Sequence, residues 1–185
     1  DTGNVERQKN AARLIKDGAD KPFFGLHFTD TLNGMVVGAY GLVFATEDGG
    51  KTWKSAIERI ENSKGNHLYS IYSSGADLYV VGEQGAFYRS SDNGGKFKRV
   101  EMPTKGTLFG VVATNGGQLL AYGLRGNLYR KEVGSDQWEK INVPPITLTS
   151  GITLKDGSII LADEVGHLLK STDEGRSFQP IPQSQ

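Results

Sequence analysis

Apolar residues recur along this chain in short alternating runs separated by Gly- and Asn/Asp-rich turns, and after residue 20 nothing keeps the spacing of an amphipathic helix. The pattern predicts many short strands. In the first group, Phe24-Gly-Leu-His-Phe28 reads as an inner strand, Gly34-Met-Val-Val-Gly38 as a second, Leu42-Val-Phe-Ala45 as a third and Trp53-Lys-Ser-Ala-Ile57 as an outer one. The dipeptides Asn33-Gly34 and Asp48-Gly49 fall between them, where tight hairpins require positive φ. The inner strand then recurs as Leu68-Tyr-Ser-Ile-Tyr72, Leu108-Phe-Gly-Val-Val112 and Leu148-Thr-Ser-Gly-Ile152.

Two landmarks set the period. The second strand of each group ends in a turn closed by glycine: Gly38-Ala-Tyr-Gly41, Gly82-Glu-Gln-Gly85, Gly123-Leu-Arg-Gly126 and, degenerate, Asp163-Glu-Val-Gly166. The closing glycines are spaced by about forty residues, the length of one four-stranded propeller blade. An all-β fold is expected, a β-propeller of about four four-stranded blades near residues 23–62, 66–103, 106–143 and 146–182. The second landmark is a box of fixed identities before each outer strand. It reads Thr46-x-Asp48-x-Gly50-x-x-Trp53, Ser90-x-Asp92-x-Gly94-x-x-Phe97 and Ser171-x-Asp173-x-Gly175-x-x-Phe178.

The box has a structural explanation. An Asp at the start of a hairpin loop accepts hydrogen bonds from amides a few residues on, the glycine takes a conformation closed to other residues, and the hydroxyl joins the network. The aromatic is expected to return to the blade as a buried wedge against its neighbour. In the third group the box has decayed to the run from Arg130 to Trp138, with one inserted residue, yet the aromatic survives. A packing anchor degenerates in this way. Before the first blade, the stretch from Asn4 to Gly18 has a cap, good helix formers and a glycine stop, so residues 1–20 read as a short helical connector.

Composition narrows the function classes. Lys and Arg number 21, as do Asp and Glu, so the formal charge is zero and no electrostatic footprint for nucleic acid is present. With no cysteine there is no disulfide framework, thiolate metal site or thiol nucleophile. No apolar run approaches the roughly 18 residues of a membrane span. Beginning on Asp1, the chain reads as a processed or cut product whose leader has been removed.

The boxes resemble the Asp-box, or BNR, repeat of sialidases and many other propellers. The fuller run from Asp20-Lys-Pro-Phe-Phe-Gly-Leu-His-Phe through Gly38-Ala-Tyr-Gly41 and the first box resembles the photosystem II stability/assembly factor-like branch, which has bacterial members in nonphotosynthetic organisms. The resemblance implies a noncatalytic, exported protein, periplasmic or membrane-associated, that acts as an assembly or stability factor and needs no cofactor or metal. The partner it implies is a membrane protein: a reaction-centre subunit in photosynthetic members, an export transporter subunit beside the bacterial relatives. Such propellers commonly have six or seven blades. Four are read here, so a fragment of a larger ring is expected, with open blade edges available for self-association.

The candidate site is the face opposite the boxes. There the turns joining second and third strands present Tyr40, Glu83, Gln84, Arg125 and Glu164, and the segments entering the inner strands present Phe23, His67 and Lys105. These residues vary on a repeated frame, which suits a partner surface. The alternative is a sialidase-like glycoside hydrolase or a carbohydrate-binding propeller. A carboxylate clamp of three arginines has no candidates here beyond Arg125, since the other arginines fall in the N-terminal segment, outer strands or box-side turns. His27, His67 and His167 occupy different places in the repeat and share no short metal-ligand spacing.

Overall fold

The computed structural model describes residues 20–182 together with Val5, Gln8, Lys9, Ala12, Lys16 and Gly18. Four antiparallel sheets of four strands follow one another along the chain. The first blade holds β1 (Phe23–Phe28), β2 (Gly34–Gly38), β3 (Val43–Thr46) and β4 (Lys54–Ser55). The second holds β5 (Leu68–Ser74), β6 (Asp77–Gly82), β7 (Phe87–Ser90) and β8 (Lys98–Arg99). The third holds β9 (Leu108–Ala113), β10 (Leu119–Gly123), β11 (Leu128–Lys131) and β12 (Trp138–Lys140). The fourth holds β13 (Leu148–Thr153), β14 (Ile159–Asp163), β15 (Leu168–Ser171) and β16 (Gln179–Pro180). Inner strand packs beside inner strand, β1 on β5, β5 on β9 and β9 on β13, which is the blade arrangement of a propeller.

Alternation along each strand gives every blade two apolar faces, one turned to the blade before it (the front) and one to the blade after it (the back). Met35, Val37, Val43 and Ala45 on the back of blade 1 close against Ile71, Val80, Tyr88 and Phe97 on the front of blade 2. Tyr79, Val81 and Phe87 then meet Val111, Leu119 and Ala121, and Leu120, Tyr122 and Leu128 meet Ile159, Leu161 and Phe178. Each large apolar side chain so buried contributes about 1.5–3 kcal/mol. Among the described residues the core is therefore three apolar slabs, one between each blade and the next.

The boxes tie the far ends of the blades. The Thr46 hydroxyl donates to Asp48 Oδ1 (2.8 Å) and accepts from the Gly50 amide (2.9 Å), while Asp48 Oδ1 accepts from the Thr52 amide (2.9 Å). Ser90 with Asp92, and Ser171 with Asp173, repeat these bonds within a few tenths of an ångström. The residue after each Asp and the glycine that follows are both left-handed, as at Asn93 (φ 56°) and Gly94 (φ 84°).

Several expectations change. Trp53 is not buried: it is 36 % exposed, against 1 % for Phe97, because the box aromatic packs toward the preceding blade and blade 1 has none before it among the described residues. The third box carries no insertion. Lys131 pairs with Leu119 as Ser90 pairs with Leu78, so Lys131 stands in the hydroxyl position and Trp138 keeps the same offset. Gly34 is an ordinary strand residue, and the hairpin before it is held by Asp30, whose Oδ1 accepts from the Leu32 and Asn33 amides. The outer strand of blade 1 is limited to Lys54–Ser55, and Ile57–Arg59 form a 3-10 turn. Val5, Gln8, Lys9, Ala12 and Lys16 are helical, while the Asn4 cap of the expected connector lies outside the described residues.

Candidate functional site

The turns between second and third strands share one backbone. Their middle residues are left-handed, at Tyr40 (φ 54°), Gln84 (φ 55°) and Arg125 (φ 54°), each followed by a glycine at positive φ. That conformation costs a residue with a side chain about 1–2 kcal/mol, so the surroundings must hold it. They do so through one repeated bond. The first amide of each turn donates to the carbonyl of the segment entering the inner strand: Ala39 to Pro22, Glu83 to His67, Leu124 to Thr107 and Glu164 to Thr147, all at 2.9–3.0 Å. A Cβ at Gly85 would lie 2.1 Å from the Thr104 carbonyl oxygen, so glycine alone fits.

The middle residue of each turn is exposed, and Tyr40 is 59 % so. The fourth turn differs: its tip residue is Val165, and positive φ falls on Gly166 (92°). Glu83 and Glu164 occupy the first turn position and point back into the scaffold. Glu83 Oε2 accepts from the His67 amide (2.8 Å), and Glu164 Oε1 accepts from the Thr147 amide (3.3 Å). These carboxylates brace the entering segments.

A second repeated feature adjoins the turns. The pairing of each inner strand with its neighbour skips one residue, in the shifts at Phe23/Gly25, Leu68/Ser70, Tyr122/Gly123 and Leu148/Ser150. The skipped residues are Phe24, Tyr69, Phe109 and Thr149. Such a bulge re-aims one side chain away from the regular alternation. Here it brings three rings together, Phe24 to Tyr69 at 5.1 Å and Tyr69 to Phe109 at 5.1 Å between centroids. His67 continues the row, 4.8 Å edge-on from Tyr40 and 6.3 Å stacked on Phe24. Five rings thus form an arc across three blades, with Phe24 43 % exposed. Burial, aided by the Glu83 charge, pushes the Tyr69 hydroxyl above its ordinary pKa, so it stays a neutral hydrogen-bonding group.

Of the residues expected on this face, Tyr40 and His67 lie in the arc. Gln84 and Lys105 line a separate groove of about 810 Å³ beside the second turn, with Lys64, Tyr88, Arg99 and Glu101. Arg125 stands on the third turn, its amide 3.4 Å from Thr147 Oγ1. Phe23 belongs to β1 and packs edge-on against Phe44 at 5.8 Å, on the front of blade 1, so it is not part of an entering loop. Sequence reasoning missed Phe24, Tyr69 and Phe109. The doublets Phe23-Phe24, Leu68-Tyr69 and Leu108-Phe109, which break strict alternation at one place in the repeat, carried the signal. Among the described residues no group of three His, Asp or Glu is placed to hold a metal ion, and no helix is long and apolar enough to cross a membrane.

The family model described as photosynthesis system II assembly factor YCF48 matches residues 6–160. This chain belongs to the YCF48 family. A curated relative, the photosystem II assembly lipoprotein Ycf48 of Synechococcus sp. (strain CC9902), is 30 % identical over 78 residues, 42 % of this chain and 23 % of the relative. YCF48 from Cyanidioschyzon merolae is similar in fold, with a TM-score of 0.69 at 21 % identity over 90 % of this chain and 57 % of that one. A structure of YCF48 bound to a D1 peptide matches with a TM-score of 0.66 at 21 % identity, over 91 % of this chain and 56 % of that one. The chain therefore spans little more than half the length of these YCF48 structures and about a quarter of the curated relative. The GH74 enzyme of Niastella koreensis, at 11 % identity and a TM-score of 0.64 over 85 % of this chain and 30 % of that one, shares the fold alone.

Proposed function

We propose that this protein is a noncatalytic scaffold that holds a segment of a membrane-protein partner across the aromatic arc and the turns beside it. The observation that carries this reading is the five-ring row of Phe24, Tyr40, His67, Tyr69 and Phe109. Rigid rings in a contiguous patch, here with Phe24 and Tyr40 exposed and the other three half-buried, are the composition of interface hot spots, since they offer large apolar area at little entropic cost. Family membership supports an assembly or stability role, and one family structure carries a D1 peptide. For this chain the partner is a reaction-centre or transporter subunit, met at the membrane by an exported protein. A lipoprotein relative supports that placement.

A glycosidase reading would require two carboxylates set across a sugar. Glu83 and Glu164, the acids of this face, each accept a backbone amide instead. The scaffold reading therefore stands ahead of it. The test is capture from a detergent extract of membranes, with the retained protein identified by mass spectrometry. A membrane protein is expected to be enriched, and Phe24→Ala with Tyr40→Ala to reduce its recovery at least tenfold while the melting midpoint moves little. Equal recovery by the folded double variant would remove the arc from the binding surface.

A further inference from the structure

The chain holds three Asn-Gly dipeptides, at Asn33, Asn93 and Asn115. In such a pair the glycine amide nitrogen can reach the side-chain carbonyl carbon of the asparagine, because the glycine has no Cβ to hinder the approach. By sequence the three sites are alike. The fold separates them.

Two of the three are tied down. Asn33 Nδ2 donates to Asp30 Oδ2 at 2.8 Å, and Gly34 is a ladder residue of β2 paired with Thr46 of β3. The Gly94 amide donates to Ser90 Oγ at 2.9 Å inside the second box, and the Gly94 carbonyl accepts from Arg59 Nη1 at 3.3 Å. An amide nitrogen held in a box or a ladder reaches a neighbouring carbonyl carbon only after local opening.

Asn115 is placed otherwise. It stands at the tip of the hairpin between β9 and β10, where residues 115–117 are all exposed. The base of this hairpin is clamped, with the Thr114 amide donating to the Gln118 carbonyl at 2.8 Å and the Gly117 amide to the Thr114 carbonyl at 3.0 Å. Its tip is free: neither the Asn115 side chain nor the Gly116 amide has a hydrogen-bond partner among the described residues. Two successive glycines then let the Gly116 nitrogen swing onto the asparagine side chain at little cost.

We infer that Asn115 is a site of covalent self-modification by deamidation in the folded protein. The Gly116 nitrogen, on losing its proton to base, attacks Asn115 Cγ. The new C–N bond closes a succinimide ring, and the side-chain nitrogen leaves as ammonia. Water then opens the ring at either carbonyl, giving aspartate or, with the backbone routed through the former side chain, isoaspartate. The product carries a carboxylate where the chain had a neutral amide. Glu174 Oε1 lies 2.8 Å from the position a Cβ on Gly116 would take, so the new charge meets a like charge at the junction of blades 3 and 4 and weakens that contact. The site lies at the end of blade 3 away from the aromatic arc, so it bears on stability and not on the proposed partner face.

The test is incubation of the whole chain in mildly alkaline buffer, with the three sites followed by peptide mapping and a fragmentation that separates aspartate from isoaspartate. Asn115 should convert roughly tenfold or more faster than Asn33 and Asn93, a factor set by the hydrogen bonds that must break at the tied sites. In denaturant the three rates should converge. Asn115→Gln should remove the fast site. Ser90→Ala, which frees the Gly94 amide, should raise the rate at Asn93 and leave that at Asn115 unchanged, and the native-to-denatured comparison decides the matter even where this variant does not fold. Equal rates in the native chain overturn the proposal, as does a faster Asn33 or Asn93. A rate order that persists in denaturant overturns it too, since local sequence and not the fold would then select the site.

Discussion

The aromatic of the box shows how one repeated residue acquires different energetics from its neighbours. Phe97 sits in the slab between blades 1 and 2, whereas Trp53 holds the same place on a blade with none before it among the described residues. Phe97→Ala is expected to cost about 3–5 kcal/mol and Trp53→Ala under about 1 kcal/mol in the single chain, as read from denaturant midpoints. The reverse order would invert the assignment of faces. The aspartates make a second prediction. The Thr52 hydroxyl and amide, with the Thr46 hydroxyl, hold Asp48 down to about 2 from 3.8. At Asp173 burial works the other way, but the Ser177 hydroxyl and amide and the Ser171 hydroxyl outweigh it and bring the group to about 2. Because the folded values are depressed, this stabilisation is complete above about pH 4 and is lost as the pH falls toward 2. A melting profile should be level above pH 4 and fall below it, with Asp173→Asn lowering the plateau and flattening the acid limb. The bonding role of these residues was legible because identities recur at fixed offsets. Burial was not, since it depends on the neighbouring blade.

At the level of the element, the turns and bulges decide what the face presents. Gly85 must be left-handed with the Thr104 carbonyl against it, whereas Gln84 is left-handed with its side chain free in solvent. Gly85→Ala is therefore expected to cost more than about 2 kcal/mol, and Gln84→Gly to be neutral or to stabilise by up to about 1 kcal/mol, both measurable by thermal unfolding. A large loss from Gln84→Gly would mean that its side chain braces the turn. The turns could be read from the sequence because glycine marks them. The bulges could not be read with the same ease: one unpaired residue leaves the strand looking continuous and alters only which side chains meet. Phe24, Tyr69 and Phe109 thus read as strand residues, and Phe23 took the place on the face that Phe24 holds. The inserted residue read into the third box has the same origin, since offsets were counted from Arg130 and the ladder aligns Lys131 with Ser90.

Across the whole molecule, period and strand count were plain in the sequence because each blade repeats the same physical problem. The proposed partner surface was only half legible, because rings distant in sequence meet only once three blades are set side by side. Tyr40 and His67 were found from their turns, and the rest of the arc needed the fold. The three slabs also have a consequence in time. Among the described residues blades 2 and 3 are covered on both faces, and blades 1 and 4 on one each, so in this chain the outer blades should open before the inner ones. Hydrogen exchange followed by mass spectrometry should show the amides of β6 and β10 as the slowest clock in the molecule, with β2 and β14 running faster and independently of each other.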